Sequence, residues 1–126
     1  MKIIENQITI NLSSEIKYQH QGLSSGRWFD LSFAEQMGNI GSEVTRTFKW
    51  FLKKDKRLNQ SFERTLELFD LTLSDKRWLK RNKEICRGRE YFCYLIFTEN
   101  IPDLPKEIRS FEKYFNDFAF IVRKSR

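Results

Sequence analysis

Apolar side chains return every three or four residues along most of the chain after residue 30. This spacing is typical of amphipathic helices, which bury one face and leave the other in water. On a helical wheel, segment 31–54 places most of its large apolar residues and one glycine on a single face: Phe33, Met37, Ile40, Gly41, Val44, Phe48, Phe51 and Leu52. The pattern therefore predicts a first helix over this segment.

Three later segments, 59–73, 75–97 and 105–123, show the same periodicity. Their predicted buried faces comprise Phe62, Leu66, Phe69 and Leu73 in the second helix, Trp78, Ile85, Phe92 and Ile96 in the third, and Ile108, Phe111, Phe115, Phe118 and Val122 in the fourth. The chain has 126 residues, 40% of them hydrophobic, with 12 Phe, 4 Tyr and 3 Trp. This is enough for one domain with an aromatic core.

Capping residues mark where these helices begin. Asp30 or Ser32 can cap the first helix, and Ser74 or Asp75 the third. Asp103 followed by Pro105 suits the start of the fourth. Because the connections are short, consecutive helices should run antiparallel. The predicted fold class is all-α, an antiparallel four-helix bundle over 30–126.

The first 29 residues follow a different pattern. Ile8, Ile10 and Leu12 alternate with Thr9 and Asn11, which is the period of a half-buried strand. A polar stretch over 19–26 follows. We expect residues 1–29 to form an extended N-terminal arm with a short β-strand or hairpin. An isolated strand pair is marginally stable in water, so the arm should dock on the bundle or on another subunit.

The two cysteines, Cys86 and Cys93, are seven residues apart on a predicted helix. They would be about 10 Å apart, too far for a disulfide within one helix. We expect both to be small buried residues in a reducing compartment. The N-terminus lacks the apolar stretch of a signal peptide, and no run is long enough to span a membrane. A cytoplasmic protein without a membrane partner is the expectation.

Positive charge is concentrated on one segment. The net charge is +6, and residues 74–97 carry seven cations against three acids, a local excess of +4. On a continuous helix, Lys76, Lys80, Lys83 and Arg87 would fall within about 60° of one another, flanked by Arg77 and Arg81. Such a stripe can follow the phosphates of a nucleic acid. The alternative is a solvated basic face without a ligand.

Arg89 is a charged residue at a position where the third helix is otherwise apolar. The wheel places it in the middle of the apolar face, beside Asn82. A buried guanidinium needs a carboxylate partner. The candidates are Glu43 and Asp70, with Glu67 further round the second helix. A structural ion pair that fixes the helix register is the favoured interpretation, and a pocket for a phosphate or carboxylate is the alternative.

Enzymatic chemistry finds little support in the sequence. Glu67 and Asp70 form an E-x-x-D pair of the type that holds Mg²⁺ in helical nucleotide pyrophosphatases, but Glu35 and Glu43 are eight residues apart and do not supply a second pair. The only histidine, His20, lies in the arm, which disfavours a di-iron site and histidine-dependent catalysis. We therefore expect no catalytic residues, metal or cofactor, with a carboxylate–metal nucleotide hydrolase as the minor alternative.

Three apolar residues lie off the predicted core faces: Trp50, Leu71 and Phe120. Large apolar residues away from the core suggest an interface with a subunit or another protein. We expect self-association into a homo-oligomer.

Segments 31–46 (LSFAEQMGNIGSEVTR), 67–73 (ELFDLTL) and 81–87 (RNKEICR) resemble a family of small, uncharacterised bacterial and archaeal helical proteins. The resemblance spans 31–97 and implies no activity. A weaker analogy, by size, charge and fold alone, is to the S23-type four-helix bundles, which include the accessory variability proteins of diversity-generating retroelements. Those are basic, oligomeric four-helix bundles that partner a reverse transcriptase and RNA.

The resulting functional hypothesis is a non-enzymatic, oligomeric helical bundle that binds RNA or DNA through the third-helix stripe. RNA is favoured, and the protein would act as an accessory subunit, for example to a reverse transcriptase. The alternative is a protein-interaction module in which the arm, Trp50 and Phe120 contact a partner and the basic stripe is only solvated.

Overall fold

The computed structural model describes residues 26–125. Within this range the chain forms four α-helices, α1 (Phe33–Lys53), α2 (Leu58–Leu73), α3 (Asn82–Phe97) and α4 (Leu104–Lys124), and two 3-10 turns, Arg27–Asp30 and Lys76–Arg81. No strand occurs in the part of the chain that is described. The predicted all-α, antiparallel four-helix bundle is confirmed.

Helix α1 is the central element of the bundle, because it packs along both α2 and α4, while α3 packs mainly on α2. The close approach of α1 and α4 depends on Gly41. A Cβ atom at this position would lie 2.5 Å from Cβ of Phe115, so only a glycine leaves room for that side chain. The apolar pattern put Gly41 on the buried face of the first helix, and it is indeed buried there.

The helix starts follow the predicted capping residues. Ser32 caps α1 in a capping box, where its hydroxyl accepts from the Glu35 backbone N–H (3.1 Å) and its own N–H donates to the Glu35 carboxylate (2.9 Å). Asp103 caps α4, with Pro105 in the first turn. Both caps satisfy backbone donors that the helices leave unpaired.

Phenylalanine rings fill the core of the bundle. Phe92 of α3 stacks on Phe62 of α2 at a centroid distance of 5.3 Å and on Phe111 of α4 at 6.3 Å. Its largest fully buried side chains are Trp28, Met37, Ile40, Phe48, Leu58, Phe62, Phe69, Ile85, Phe92, Leu95, Ile96 and Phe115. Trp28 was predicted to belong to the arm. The packed core therefore begins before residue 30, while the part of the predicted arm over 1–25 lies outside the described residues.

A hydroxyl cluster joins α1 to α2 inside this apolar packing. Thr47 Oγ1 lies 2.7 Å from Ser61 Oγ and 3.1 Å from Thr65 Oγ1, and all three side chains are buried. Thr47 and Thr65 also donate to backbone carbonyls one turn earlier, so the hydroxyls are satisfied. A helical wheel that follows only apolar residues carries no signal for this contact.

The structure corrects the predicted burial of Leu52 and of the two cysteines, and the predicted exposure of Leu71. Leu52 lies in the last turn of α1 and is 60% exposed, since the core has ended before it. Cys86 is exposed on the outer face of α3, and Cys93 is only partly buried. Leu71, predicted to lie off the core, is 6% exposed and belongs to the core.

Candidate nucleic-acid interface

The basic segment does not form one continuous helix. Residues Lys76–Arg81 form a 3-10 turn, Trp78 has non-helical backbone angles (φ −110°, ψ 23°), and α3 begins only at Asn82. The prediction of a single helix over 75–97 is therefore wrong. Asp75 explains the turn locally, because its side chain accepts from the backbone N–H of Arg77 and caps the tight first turn.

Gln36, fully buried on α1, attaches this turn to the bundle. Its side-chain nitrogen donates to the Trp28 carbonyl (2.9 Å) and to Oδ2 of Asp75 (3.0 Å). Its side-chain oxygen accepts from the indole N–H of Trp78 (2.9 Å). Trp28 in turn donates through Nε1 to Thr72 on α2 (3.1 Å). This buried network fixes both 3-10 turns against the helices.

Asp75 is the ionic centre of the same network. The Arg77 guanidinium donates to both of its carboxylate oxygens (3.0 and 2.7 Å) and also to the Leu31 carbonyl (2.7 Å). Hydrogen bonds from Arg77, together with the one from Gln36, hold the pKa of Asp75 below its ordinary value against the opposing effect of burial. Asp75 is therefore charged at neutral pH and binds Arg77 into the fold.

Arg81 has a similar structural role. Its guanidinium lies 3.9 Å from the ring centroid of Phe33 and donates to Glu84 (3.0 Å). Glu84 also accepts from the Tyr114 hydroxyl. Burial raises the pKa of Glu84, but the hydrogen bonds from Tyr114 and Arg81 outweigh it, and the pKa lies below its ordinary value. Arg81 therefore joins α3 to α1 and α4.

The remaining four predicted contacts differ from Arg77 and Arg81. All four are exposed and make no ion pair or hydrogen bond with any described residue. We call them the free cations: Lys76, Lys80, Lys83 and Arg87. Of the six predicted binding residues, two are therefore structural and four remain available to a ligand.

The free cations do not lie on the single continuous helix that was predicted to carry them. Lys76 and Lys80 lie in the 3-10 turn, on either side of the non-helical residue Trp78. Lys83 and Arg87 lie one turn apart on the outer face of α3. The four cations are therefore carried by two segments with different backbone geometry.

The predicted ion pair of Arg89 involves Asp70 and lies at the surface. The guanidinium donates to both Asp70 oxygens, at 2.9 and 3.3 Å. The Arg89 side chain is 33% exposed and that of Asp70 is 53% exposed, so the expected burial of Arg89 is wrong. Glu43 pairs with Arg46 (2.9 Å) instead. A pair this exposed contributes little, about 0 to 1 kcal/mol.

The three predicted interface residues lie in different environments. Trp50 is half-buried, and the Arg57 guanidinium lies 3.7 Å from its ring centroid. Leu71 is in the core and is not available to a partner, which corrects that prediction. Phe120 is 55% exposed beside Ile121, which is 52% exposed. These two residues form an apolar patch near the end of α4.

Residues 26–125 show no assembled site for metal or thiol chemistry. No group of three or more potential metal ligands occurs within this range. Asp70 of the E-x-x-D pair is engaged by Arg89. Burial raises the pKa of the Cys93 thiol, which keeps it protonated and weakly nucleophilic. None of the described helices combines the length and apolarity needed to cross a bilayer.

The free cations are the candidate functional site: the Gln36–Asp75–Trp78 network fixes the turn that carries Lys76 and Lys80, and α3 carries Lys83 and Arg87. Comparison with known proteins adds no assignment to it, since no family model, no curated protein and no solved structure matches the chain significantly.

Proposed function

We propose that this protein binds nucleic acid through the free cations, as a cytoplasmic, non-enzymatic binding protein. The observation that supports this most strongly is the set of four exposed, unpaired cations within twelve residues of the chain. Each cation that contacts a phosphate releases condensed counterions, which provides affinity without any contact to a base.

The rigid attachment of the segment favours binding. Gln36, Asp75 and Trp78 fix the backbone that carries Lys76 and Lys80, so a ligand does not have to order it. Lys83 and Arg87 project from a regular helix. Only the side-chain rotamers lose freedom when phosphates bind.

Binding should be insensitive to base sequence. Three of the four free cations are lysines, whose ammonium groups act as point charges on phosphates without the planar fork that arginine offers to guanine. Either RNA or DNA satisfies this chemistry. RNA as the preferred ligand and a reverse transcriptase as a partner stay predictions of the sequence.

The test compares two charge-reversal variants of equal charge change. Lys80→Glu with Lys83→Glu removes two free cations. Lys106→Glu with Arg109→Glu changes two exposed residues on α4 by the same total charge. Arg81 is left intact, because its loss would disturb the contact with Phe33. Affinity for fluorescently labelled 20-nucleotide RNA and DNA is measured by anisotropy, and folding is checked by circular dichroism.

The K80E/K83E variant should bind at least about tenfold more weakly than the wild type at near-physiological salt, while the K106E/R109E variant should lose much less. Equal losses in the two variants would show that only the net charge matters, against a site at the free cations. Unchanged binding in the K80E/K83E variant, or no binding by the wild type, contradicts the proposal.

A second candidate function is self-association through Phe120 and Ile121. Two adjacent apolar side chains, each more than half exposed, are a common feature of interfaces. Sedimentation velocity of Phe120→Ser against the matched control Leu52→Ser tests it. A wild-type oligomer that dissociates only in the Phe120→Ser variant supports the interface, and a monomeric wild type excludes it.

A further inference from the structure

An open groove lies where α3 ends and α4 begins. It has a volume of about 420 Å³ and is lined by Tyr91, Tyr94, Ile101, Pro102 and Glu107. This volume is within the range of sites that bind small ligands or single side chains. Among the described residues it is a concave surface built from aromatic, apolar and acidic groups together.

The two tyrosines that line the groove are positioned by stacking on each other and by contact with the core. The rings of Tyr91 and Tyr94 stack at a centroid distance of 5.6 Å with an interplanar angle of 27°. Tyr91 also packs on Phe111 of the core at 5.5 Å. Tyr94 is 42% exposed. Tyr91 is therefore a fixed support, and Tyr94 offers ring surface to a ligand.

Glu107 supplies a carboxylate that is only partly engaged. Its Oε2 accepts from the Tyr91 hydroxyl, while Oε1 has no partner among the described residues. The hydrogen bond to Glu107 raises the pKa of Tyr91 to about 12, so this hydroxyl stays protonated and donates at neutral pH. The groove thus presents an oriented negative charge beside an aromatic ring.

The surroundings of the groove are acidic, although the chain as a whole carries +6. Residues 98–107 contain three acids, Glu99, Asp103 and Glu107, against the single cation Lys106. The nearest free cation along α3 is Arg87, which lies one turn before Tyr91 and two turns, or about 10 Å, before Tyr94. The charged residue that lines the groove itself is the acidic Glu107.

We propose that this groove binds an arginine side chain carried by an extended segment of a partner protein. The guanidinium stacks on Tyr94 and donates to the free oxygen of Glu107, and Ile101 and Pro102 contact the flanking residues. Arginine fits better than lysine because its planar group stacks on an aromatic ring and donates to a carboxylate at the same time. The proposal does not depend on nucleic-acid binding, since the two surfaces share no residue.

The experiment uses the full chain labelled with ¹⁵N and the tripeptide acetyl-Gly-Arg-Gly-amide, titrated to millimolar concentration. The control peptide contains citrulline, which keeps the planar shape of arginine but has no charge. Amide shifts of residues around Tyr91, Tyr94, Ile101 and Glu107 report binding. The protein variants are Glu107→Gln and Tyr94→Ala, with Asp117→Asn on the exposed face of α4 as the matched control.

The arginine peptide should shift these amides in a saturable manner, and the citrulline peptide should bind about fivefold more weakly or worse. Glu107→Gln and Tyr94→Ala should each weaken binding, and Asp117→Asn should not. Glu107→Gln could also disturb Tyr91, which donates to this carboxylate. Tyr94 is exposed, so Tyr94→Ala should leave the fold intact and provides an independent test. Equal binding of both peptides, shifts confined to other surfaces, or no shifts at all would overturn the proposal.

Discussion

The indole N–H of Trp78 donates to the side-chain oxygen of Gln36 across 2.9 Å, joining residues 42 positions apart in the chain. The side-chain nitrogen of Gln36 binds Asp75 and the Trp28 carbonyl at the same time. One buried amide thus uses both donors and its acceptor to hold the segments before α1 and before α3. The backbone that carries Lys76 and Lys80 is fixed by this contact.

Replacement of Gln36 by leucine should destabilise the protein strongly. The change removes three hydrogen bonds and leaves the indole N–H of Trp78 without a partner, while Asp75 keeps Arg77 and the Trp28 carbonyl keeps the Leu31 N–H, which costs about 2 to 4 kcal/mol in total. Urea denaturation measures the loss. Asn39→Ala is the control, because this exposed amide on the same helix bonds only a nearby carbonyl, and it should cost less than about 0.5 kcal/mol. A similar small effect for both variants would mean that the network is not structurally important.

Asp75 makes stability depend on pH in the acidic range. Its pKa is lowered in the folded state by Arg77 and Gln36. The stabilisation is therefore fully present above the unfolded pKa of about 3.9 and is lost as the pH falls through the folded pKa. In Asp75→Asn this contribution is absent. The difference in unfolding free energy between wild type and Asp75→Asn should thus be largest above about pH 5 and shrink towards pH 2. A difference that is constant with pH contradicts the assignment.

The two glycines of α1 near α4 should respond oppositely to alanine. At Gly41 the new Cβ would lie 2.5 Å from Cβ of Phe115, and such overpacking costs about 1 to 3 kcal/mol. At Gly38 the nearest atom is 3.4 Å away, and alanine should be neutral or stabilise by up to about 1 kcal/mol through helix propensity. Thermal denaturation of both variants checks the difference, and destabilisation by Gly38→Ala equal to that by Gly41→Ala would contradict it.

Leu71 and Phe120 test the corrected assignment of core and surface. Leu71→Ala should cost about 2 to 5 kcal/mol because it opens a cavity. Phe120→Ala should change the stability of the monomer by less than about 0.5 kcal/mol, since its side chain is 55% exposed. Both are measured by chemical denaturation at low protein concentration. The reverse order of effects would place Phe120 in the core.

Most of the fold followed from the spacing of apolar residues, for physical reasons. In α1 and in the first half of α4 a single face is buried, so the 3.6-residue period identifies it. The burial of Leu71 did not follow from this period, because α2 lies between α1 and α3 and buries a wider arc than one stripe. The burial of Leu52 was predicted wrongly for the opposite reason. The apolar face of α1 continues past the end of the core, so Leu52 is exposed.

The candidate site was harder to predict, because polar contacts between distant segments decide its shape. A continuous wheel over 75–97 cannot show that Asp75 caps a 3-10 turn or that Trp78 turns towards Gln36. One signal was present in the sequence: Asp75 followed two residues later by Arg77 is a local carboxylate–guanidinium pair beside a candidate cap. Arg81 could not have been separated from the free cations, since its contact with Phe33 joins segments far apart in the chain.

The salt dependence of nucleic-acid binding tests the central proposal most directly. The dissociation constant for a labelled 20-nucleotide single-stranded RNA is measured between low and physiological salt. The wild type is compared with a variant carrying glutamine at Lys76, Lys80, Lys83 and Arg87, and with Lys106→Gln/Arg109→Gln as a control. If the free cations contact phosphates, the slope of log K against log salt should fall by about 0.7 per lost contact, while the control keeps the wild-type slope. An unchanged slope in the four-site variant, or no salt-dependent binding by the wild type, would contradict the proposed function.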